Sequence, residues 1–248
     1  MRKRAHFGVG LFLLLVITTG CNVFAARFYN SRGLDYYHKG DYEHALADFN
    51  QAIKLAPWLA EAYTNRGLVE DIKGDYDHAI TDHDQAIRLK PGLAIAFNNR
   101  GMVFLHKADY ETAIVDFNES IKLNPNDGLP YSNRALAYYY KGDLDRALMD
   151  CDSAIRLDLK LAFAWNNRCL VYNKQGKYDL AIQDCNQAIR LRPGFDEAYI
   201  NRGLSFWRNG DSAKAIEDFT KVLRESSSEK NRKLAESFLK EVQTSADK

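Results

Sequence analysis

YNSRGLDYYHKGDYEHALADFNQAIKLAP, residues 29–57, is the stretch on which the reading of the whole chain turns. Its framework is Tyr29, Gly33, Tyr36, Gly40, Tyr42, Ala45, Phe49, Ala52 and Pro57. The same framework returns 34 residues on as Tyr63, Gly67, Gly74, Tyr76, Ala79, Ala86 and Pro91, and then as Phe97, Gly101, Phe104, Tyr110, Ala113, Phe117 and Pro125. Three further copies carry Tyr131, Tyr138, Gly142, Ala147 and Ala154; Trp165, Tyr172, Gly176, Tyr178, Ala181, Ala188 and Pro193; and Tyr199, Gly203, Phe206, Gly210, Ala215 and Phe219. Six units of 34 residues therefore fill 26–229 without an insertion: 26–59, 60–93, 94–127, 128–161, 162–195 and 196–229. A fixed period of this size describes a stack in which each unit buries its apolar face only against its neighbours.

Inside a unit, apolar positions 4, 8 and 11 lie on one helical face, and positions 20, 24 and 27 lie on another. Position 8 is Gly33, Gly67, Gly101, Ala135, Cys169 and Gly203, which suggests two helices in close approach. The opposing side is assigned to Ala45, Ala79, Ala113, Ala147, Ala181 and Ala215. Gly40, Gly74, Gly142, Gly176 and Gly210 suit the left-handed residue that closes a helix, and Asp41, Asp75, Asp143 and Asp211 suit the cap of the next one. Ala108 replaces that glycine in the third unit and predicts local strain. Pro57, Pro91, Pro125 and Pro193 end the second helices. Leu159 replaces the proline in the fourth unit, which predicts a helix continuing into the fifth. Beyond the array, Leu234, Phe238 and Val242 predict a capping helix over 230–242 that covers the open end of the stack, followed by a disordered tail, 243–248.

Composition places the chain among ordinary folded proteins, with 46% apolar and 27% charged residues in 248. The formal net charge is +1, and Arg2, Lys3 and Arg4 lie in a leader expected to be removed. A near-neutral balance without a block of like charges argues against a nucleic-acid partner. The leader, residues 1–20, has a basic start, an apolar run from Phe7 to Ile17, and small residues before Cys21. That run is too short to span a bilayer.

Gly20 and Cys21 resemble the lipobox of bacterial lipoprotein signal peptides, although Thr18 stands where leucine is usual, so an ordinary signal peptide cut nearby is the alternative. The resemblance implies that Cys21 is lipidated. Residues 21–25 then form a short anchor and tether to the periplasmic face of a bacterial membrane. Asn22 favours the outer membrane over the inner. The array itself resembles the tetratricopeptide repeat (TPR) family, which implies an all-α, right-handed superhelix, an α-solenoid of six helix-turn-helix units plus the capping helix.

Two series go beyond that framework. Position 7 is Arg32, Arg66, Arg100, Arg134, Arg168 and Arg202, and position 23 is Asp48, Asp82, Asp116, Asp150, Asp184 and Asp218. Antiparallel packing puts each Asp beside the Arg of its own or of the following unit, and the expectation is the following one, an inter-repeat ladder of Asp48 with Arg66, Asp82 with Arg100, Asp116 with Arg134, Asp150 with Arg168 and Asp184 with Arg202, which sets register; a charged binding strip is the alternative. The second series is Asn65, Asn99, Asn133, Asn167 and Asn201 at position 6, with Asn30, Asn98 and Asn166 beside it. An amide pairs donor with acceptor. In the TPR family the first helices line the concave face, and some members grip extended peptides with such a row. The resemblance thus implies a peptide groove formed by these asparagines, Tyr139 and Trp207, over leucines such as Leu34, Leu68 and Leu170; buttressing of the fold is the competing reading. The two-carboxylate clamp of chaperone-binding members needs cations at positions 2 and 9, and position 9 here is Leu or Met.

No motif announces catalysis or a cofactor. His6, His38, His44, His78, His83 and His106 lack metal-site spacing. Cys151, Cys169 and Cys185 occupy small core positions, where cysteine serves as a compact hydrophobe; a bridge from Cys169 to Cys151 or Cys185 in an oxidising periplasm is the lesser alternative, since three cysteines leave one unpaired. The function expected is a non-catalytic, membrane-anchored adaptor that binds a protein or peptide client. By resemblance it would serve envelope hydrolases or proteases, or act as a pilotin-like assembly factor. A self-associating scaffold, a homodimer without a client, is the alternative.

Overall fold

The structure, a computed structural model, describes residues 5–246, with side chains for 22–244. The described residues form thirteen helices and no strand. They are α1 (Ala5–His38), α2 (Tyr42–Leu55), α3 (Ala60–Lys73), α4 (Tyr76–Leu89), α5 (Ala94–His106), α6 (Tyr110–Leu123), α7 (Gly128–Lys141), α8 (Leu144–Leu157), α9 (Ala162–Lys174), α10 (Tyr178–Leu191), α11 (Asp196–Arg208), α12 (Ser212–Glu225) and α13 (Glu229–Ala246). Two compact units, Met1–Asp109 and Tyr110–Lys248, divide between α5 and α6. In the first, α1 packs on α2 and α3 on α4, while α1, α3 and α5 neighbour one another in turn. In the second, the pairs are α7 with α8, α9 with α10 and α11 with α12, and α13 closes on α12. This is the helix-turn-helix repeat expected from the period.

The turns follow the residues assigned to them. Gly74 and Gly142 sit at φ 82° and 84°, a region closed to most side chains. Asp41, Asp75, Asp143 and Asp211 each accept the backbone N–H three residues on, at 3.1 to 3.3 Å. Ala108 adopts φ 59°, the one described non-glycine in that region. Leu159, however, does not prolong α8. The helix stops at Leu157, the position at which α2, α4 and α10 also stop, and the Asp158 carboxylate holds the turn that follows by accepting the Lys160 N–H at 2.8 Å.

Position 8 meets position 20 as expected, with the Ala79 carbonyl 3.1 Å from where a Cβ on Gly67 would lie and Cys169 clustered with Ala181, but a second partner stands nearer. The alanines of position 20 are fully buried, yet the space above Gly33 and Gly203 is filled by the rings of position 24. A Cβ on Gly33 would lie 2.6 Å from Phe49, and one on Gly203 2.7 Å from Phe219. In the fifth repeat the same slot holds a disulfide, Cys169–Cys185, with Cα atoms 5.6 Å apart, which ties α9 to α10. In the second repeat it holds His83 above Gly67. His83 is fully buried with neither ring nitrogen hydrogen-bonded, and burial, aided by the Arg100 charge, drives its pKa down to about 3.

Both ends depart from expectation. Residues 22–25 are not an extended tether but part of α1, since no Gly or Pro interrupts them and Ala26 is buried. Four helical residues rise only about 6 Å. The leader and Cys21 lie outside the residues whose side chains are described. No described helix is long and apolar enough to cross a membrane. The capping helix extends from 229 to 246 rather than 230 to 242, and its tail through Ala246 is helical. Its buried stripe is Ala235 and Val242 with Phe238 and Leu239 partly covered, while Leu234 is 42% exposed. The stripe is turned by one residue because α13 also seats Asn231, whose amide donates to Asp196 and Glu197.

Gly203→Ala should destabilise the protein by about 1 to 3 kcal/mol through overpacking against Phe219, read from urea unfolding. For His83, the folded pKa lies below the unfolded 6.5, so the unfolded chain binds the extra proton and stability falls as pH drops from 6.5 toward 3. His83→Phe, the ring used at this position in three other repeats, should be more stable than the parent at neutral pH. Its advantage should widen by a few kcal/mol between pH 6.5 and 4; a constant difference would contradict the burial of a neutral imidazole.

Candidate functional site

Arg66, Arg134, Arg168 and Arg202 each stand at the meeting point of three neighbours, and Arg32, in the first repeat, at the meeting point of two. The guanidinium grips the aspartate of its own repeat, position 23, through Nε and Nη2. The pairs are Arg32 with Asp48 (2.6 and 2.7 Å), Arg66 with Asp82, Arg134 with Asp150, Arg168 with Asp184 and Arg202 with Asp218. The ladder across repeats expected from Asp48 to Arg66 and onward is therefore corrected, for the arginine bonds within its repeat. The link to the preceding repeat comes from position 25, which sequence reasoning overlooked. Arg66 donates to Asn50 (2.5 Å), Arg100 to Asp84 (2.6 Å), Arg134 to Asn118 (2.5 Å), Arg168 to Asp152 (2.7 Å) and Arg202 to Asn186 (2.6 Å). The signal was present as a run of Asn and Asp at that position. The aromatic ring of position 4 completes the clasp, its centroid 4.9 Å from Arg168 at Trp165 and 5.7 Å from Arg66 at Tyr63. Planar guanidinium matches both carboxylate and ring, and the buried aspartates leave little room for a ligand.

The asparagine row is mostly occupied by the fold. Asn65 donates its amide to Asn30 Oδ1 at 2.9 Å, Asn201 to Asn166 Oδ1 at 2.9 Å, and Asn167 to the Ser132 carbonyl and hydroxyl at 3.0 and 3.1 Å. These bonds stitch each first helix to the one before it, α3 to α1, α9 to α7 and α11 to α9. Asn98, Asn166, Asn167 and Asn201 are buried, and Asn98 donates to Asn99 at 3.2 Å. Asn65, Asn99 and Asn133 are half-buried. Trp207 packs in the terminal cluster with Ile200, Ala235 and Phe238 rather than in a groove, and Leu34 packs on Phe49 and Val69.

A recess opens instead one turn further along the first helices of residues 110–248. Tyr139, Leu170, Leu204, Tyr178 and Phe238 wall a cavity of about 420 Å³, and Lys174 and Arg208 stand at it. Tyr139 was expected here, whereas the two cations were missed. They occupy position 13, where earlier units have His38, Ile72, His106 and Tyr140. Asn173 belongs to the frame, because its amide donates to the Asn201 carbonyl at 2.9 Å and its oxygen accepts the Ser205 hydroxyl at 2.7 Å. Lys174 and Arg208 are exposed; the Arg208 guanidinium lies 5.0 Å from the Trp207 ring centroid. In the unit 1–109 the matching turn is paired internally, with His106 Nδ1 2.8 Å from the buried Asp71 carboxylate. Burial raises the phenols of Tyr37 and Tyr139. The recess thus offers an apolar floor and positive charge. Among the described residues no group of three or more His, Cys, Asp or Glu side chains could hold a metal ion. Cys151 is a buried thiol pushed up by desolvation.

Family models described as tetratricopeptide repeat match residues 94–127 and 162–195, and another so described matches 60–92 and 196–229; a TPR repeat model matches 33–69. No curated protein matches the chain. Among solved structures, a chain of the APC/C hetero-tetramer Cut9–Hcn1 superposes with TM-score 0.79 at 21% identity over 92% of this chain. This chain spans 45% of that one. PilF of Pseudomonas aeruginosa gives TM-score 0.71 at 17% identity, covering 90% of this chain and 99% of its own. A tetratricopeptide repeat protein of Parabacteroides merdae gives 0.67 at 22% identity, covering 89% and 87%. At these identities the likeness is one of fold.

The two sides of the arginine clasp should separate by mutation. Asp150→Ala leaves Arg134 without its buried partner and should cost about 2 to 4 kcal/mol, whereas Asn118→Ala removes one half-exposed link and should cost about 1 kcal/mol or less. Equal costs in urea unfolding would contradict the within-repeat assignment.

Proposed function

The chain belongs to the tetratricopeptide repeat family, whose repeats form protein–protein interaction scaffolds, and we propose that it is a non-catalytic adaptor held at the bacterial envelope through Cys21. Its client is a protein or peptide segment seated on the first-helix face of residues 110–248. The observation that carries this reading is the recess of about 420 Å³, with an apolar floor and two cations at one position of successive repeats. An extended segment fits it by placing an apolar side chain on Leu170 and Leu204 and an acidic group beside Lys174 and Arg208. Apolar anchors supply affinity, and the charges select among clients and speed their encounter. The half-buried Asn133 lies on the same face and is a further contact for a peptide backbone, whereas the buried Asn167 and Asn201 hold the frame beneath it.

Lys174→Glu with Arg208→Glu reverses the charge of the recess and gives up the exposed Arg208 contact with the Trp207 ring. In cross-linked envelope extract, the parent chain should retain a client that this variant loses at least about tenfold, which corresponds to about 1.4 kcal/mol. Arg208→Gln with Lys174→Gln should lose the client as well, and thermal unfolding of both variants should stay close to the parent's. Retention of the same proteins by both chains would overturn the recess as the client site. Cys21→Ala should leave the precursor uncut and without acyl label; a normally labelled variant would overturn the anchor.

A further inference from the structure

Near the start of the described side chains, α1 presents aromatic rings to water. Phe24 and Phe28, four residues apart and so on one face, are 79% and 54% exposed. Trp58, in the turn between α2 and α3, is 56% exposed and shares a recess of about 250 Å³ with Val23 and Arg27 of α1. Arg27, between the two phenylalanines in sequence, is exposed as well. Three large rings in water around two turns of helix are an uncovered apolar surface. The recess beside them is too small to seat a partner helix.

What covers the rings follows from the chain to which they are joined. The helix runs without a break through Cys21 to His38, so Phe24 lies only about 5 Å along the axis from Cys21, the lipid anchor of the reading above. Aromatic rings beside a cation are the side chains that suit the boundary between acyl chains and headgroups. We propose that Phe24, Phe28, Trp58 and Arg27 form a membrane-interface surface that seats the unit 1–109 on an anionic bilayer. The rings enter the headgroup boundary and the Arg27 guanidinium meets lipid phosphate. This surface rests on the envelope-anchored reading above and adds to it a second contact, so that the repeat is seated rather than swinging on its anchor.

The test uses the full chain with Trp165→Phe and Trp207→Phe, which leaves Trp58 as the reporter; Phe97 already serves at position 4 in another repeat. The protein is purified in detergent and returned to vesicles of phosphatidylethanolamine and phosphatidylglycerol, with and without brominated acyl chains. The expected result is a Trp58 emission quenched by bromine and protected severalfold from iodide. Adding Phe24→Ser and Phe28→Ser should reverse both effects while the chain still floats with the vesicles. A chain that floats but leaves Trp58 as open to iodide as in detergent overturns this surface and spares the anchor. A chain that does not float overturns both. Protection from iodide without bromine quenching, rising with protein concentration, assigns the rings to a second copy and overturns the proposal.

Discussion

The guanidinium of position 7 is the constraint on which the repeat depends. It is held by a buried carboxylate from the second helix of its own unit, by an amide or carboxylate of the unit before, and by the ring three residues earlier on its own helix. Taken singly, a half-exposed ion pair contributes little. Here the aspartate is buried, so withdrawing the arginine would leave a charge without water or partner, and that penalty fixes the angle at which the two helices of a unit meet. Position 25 then carries the same angle to the next unit. Register thus passes along the stack by a polar contact, while the apolar contacts supply most of the stability.

Function inherits from this arrangement. Because the second helices and the clasp satisfy the charges on one side, the first helices are left to differ from unit to unit at position 13. In residues 1–109 that turn is closed by the Asp71–His106 contact, and in residues 110–248 it remains open with two cations. The binding capacity is therefore local to the last repeats, next to α13, whose Phe238 forms one wall of the recess. The cap helix accordingly does two things, burying the terminal core and shaping the site.

The period, the helix pairs, the left-handed glycines and the aspartate caps were all legible in the sequence, because each depends on residues within a few positions of one another. Contacts between helices were less so. Asp48 is nearly equidistant along the chain from Arg32 and Arg66, and only the geometry of the closing turn decides between them. Likewise, Leu159 removes a proline, yet the helix ends where the others do, because the packing of the next unit sets the turn, and the Asp158 side chain holds it. The asparagines of position 6 lie at the flank of the first helix, where a periodic pattern does not reveal whether a side chain looks outward or toward its neighbour. Asn167 and Asn201 look toward the neighbour. The recess was half legible: Tyr139 was visible as an apolar residue on the right face, and the pair Lys174 and Arg208 was overlooked because no earlier unit has cations there.

The slot between positions 8 and 24 has been filled in four ways: glycine under phenylalanine, glycine under histidine, alanine with cysteine, and a cystine. One member can change alone where the other leaves room for it, as histidine does for phenylalanine above a glycine. The constraint is uneven, because a Cβ under a ring would already meet it at 2.6 to 2.9 Å. Copies of a repeat made by duplication can therefore vary position 24 among rings and sulfur, while position 8 must stay small for as long as a ring stands over it.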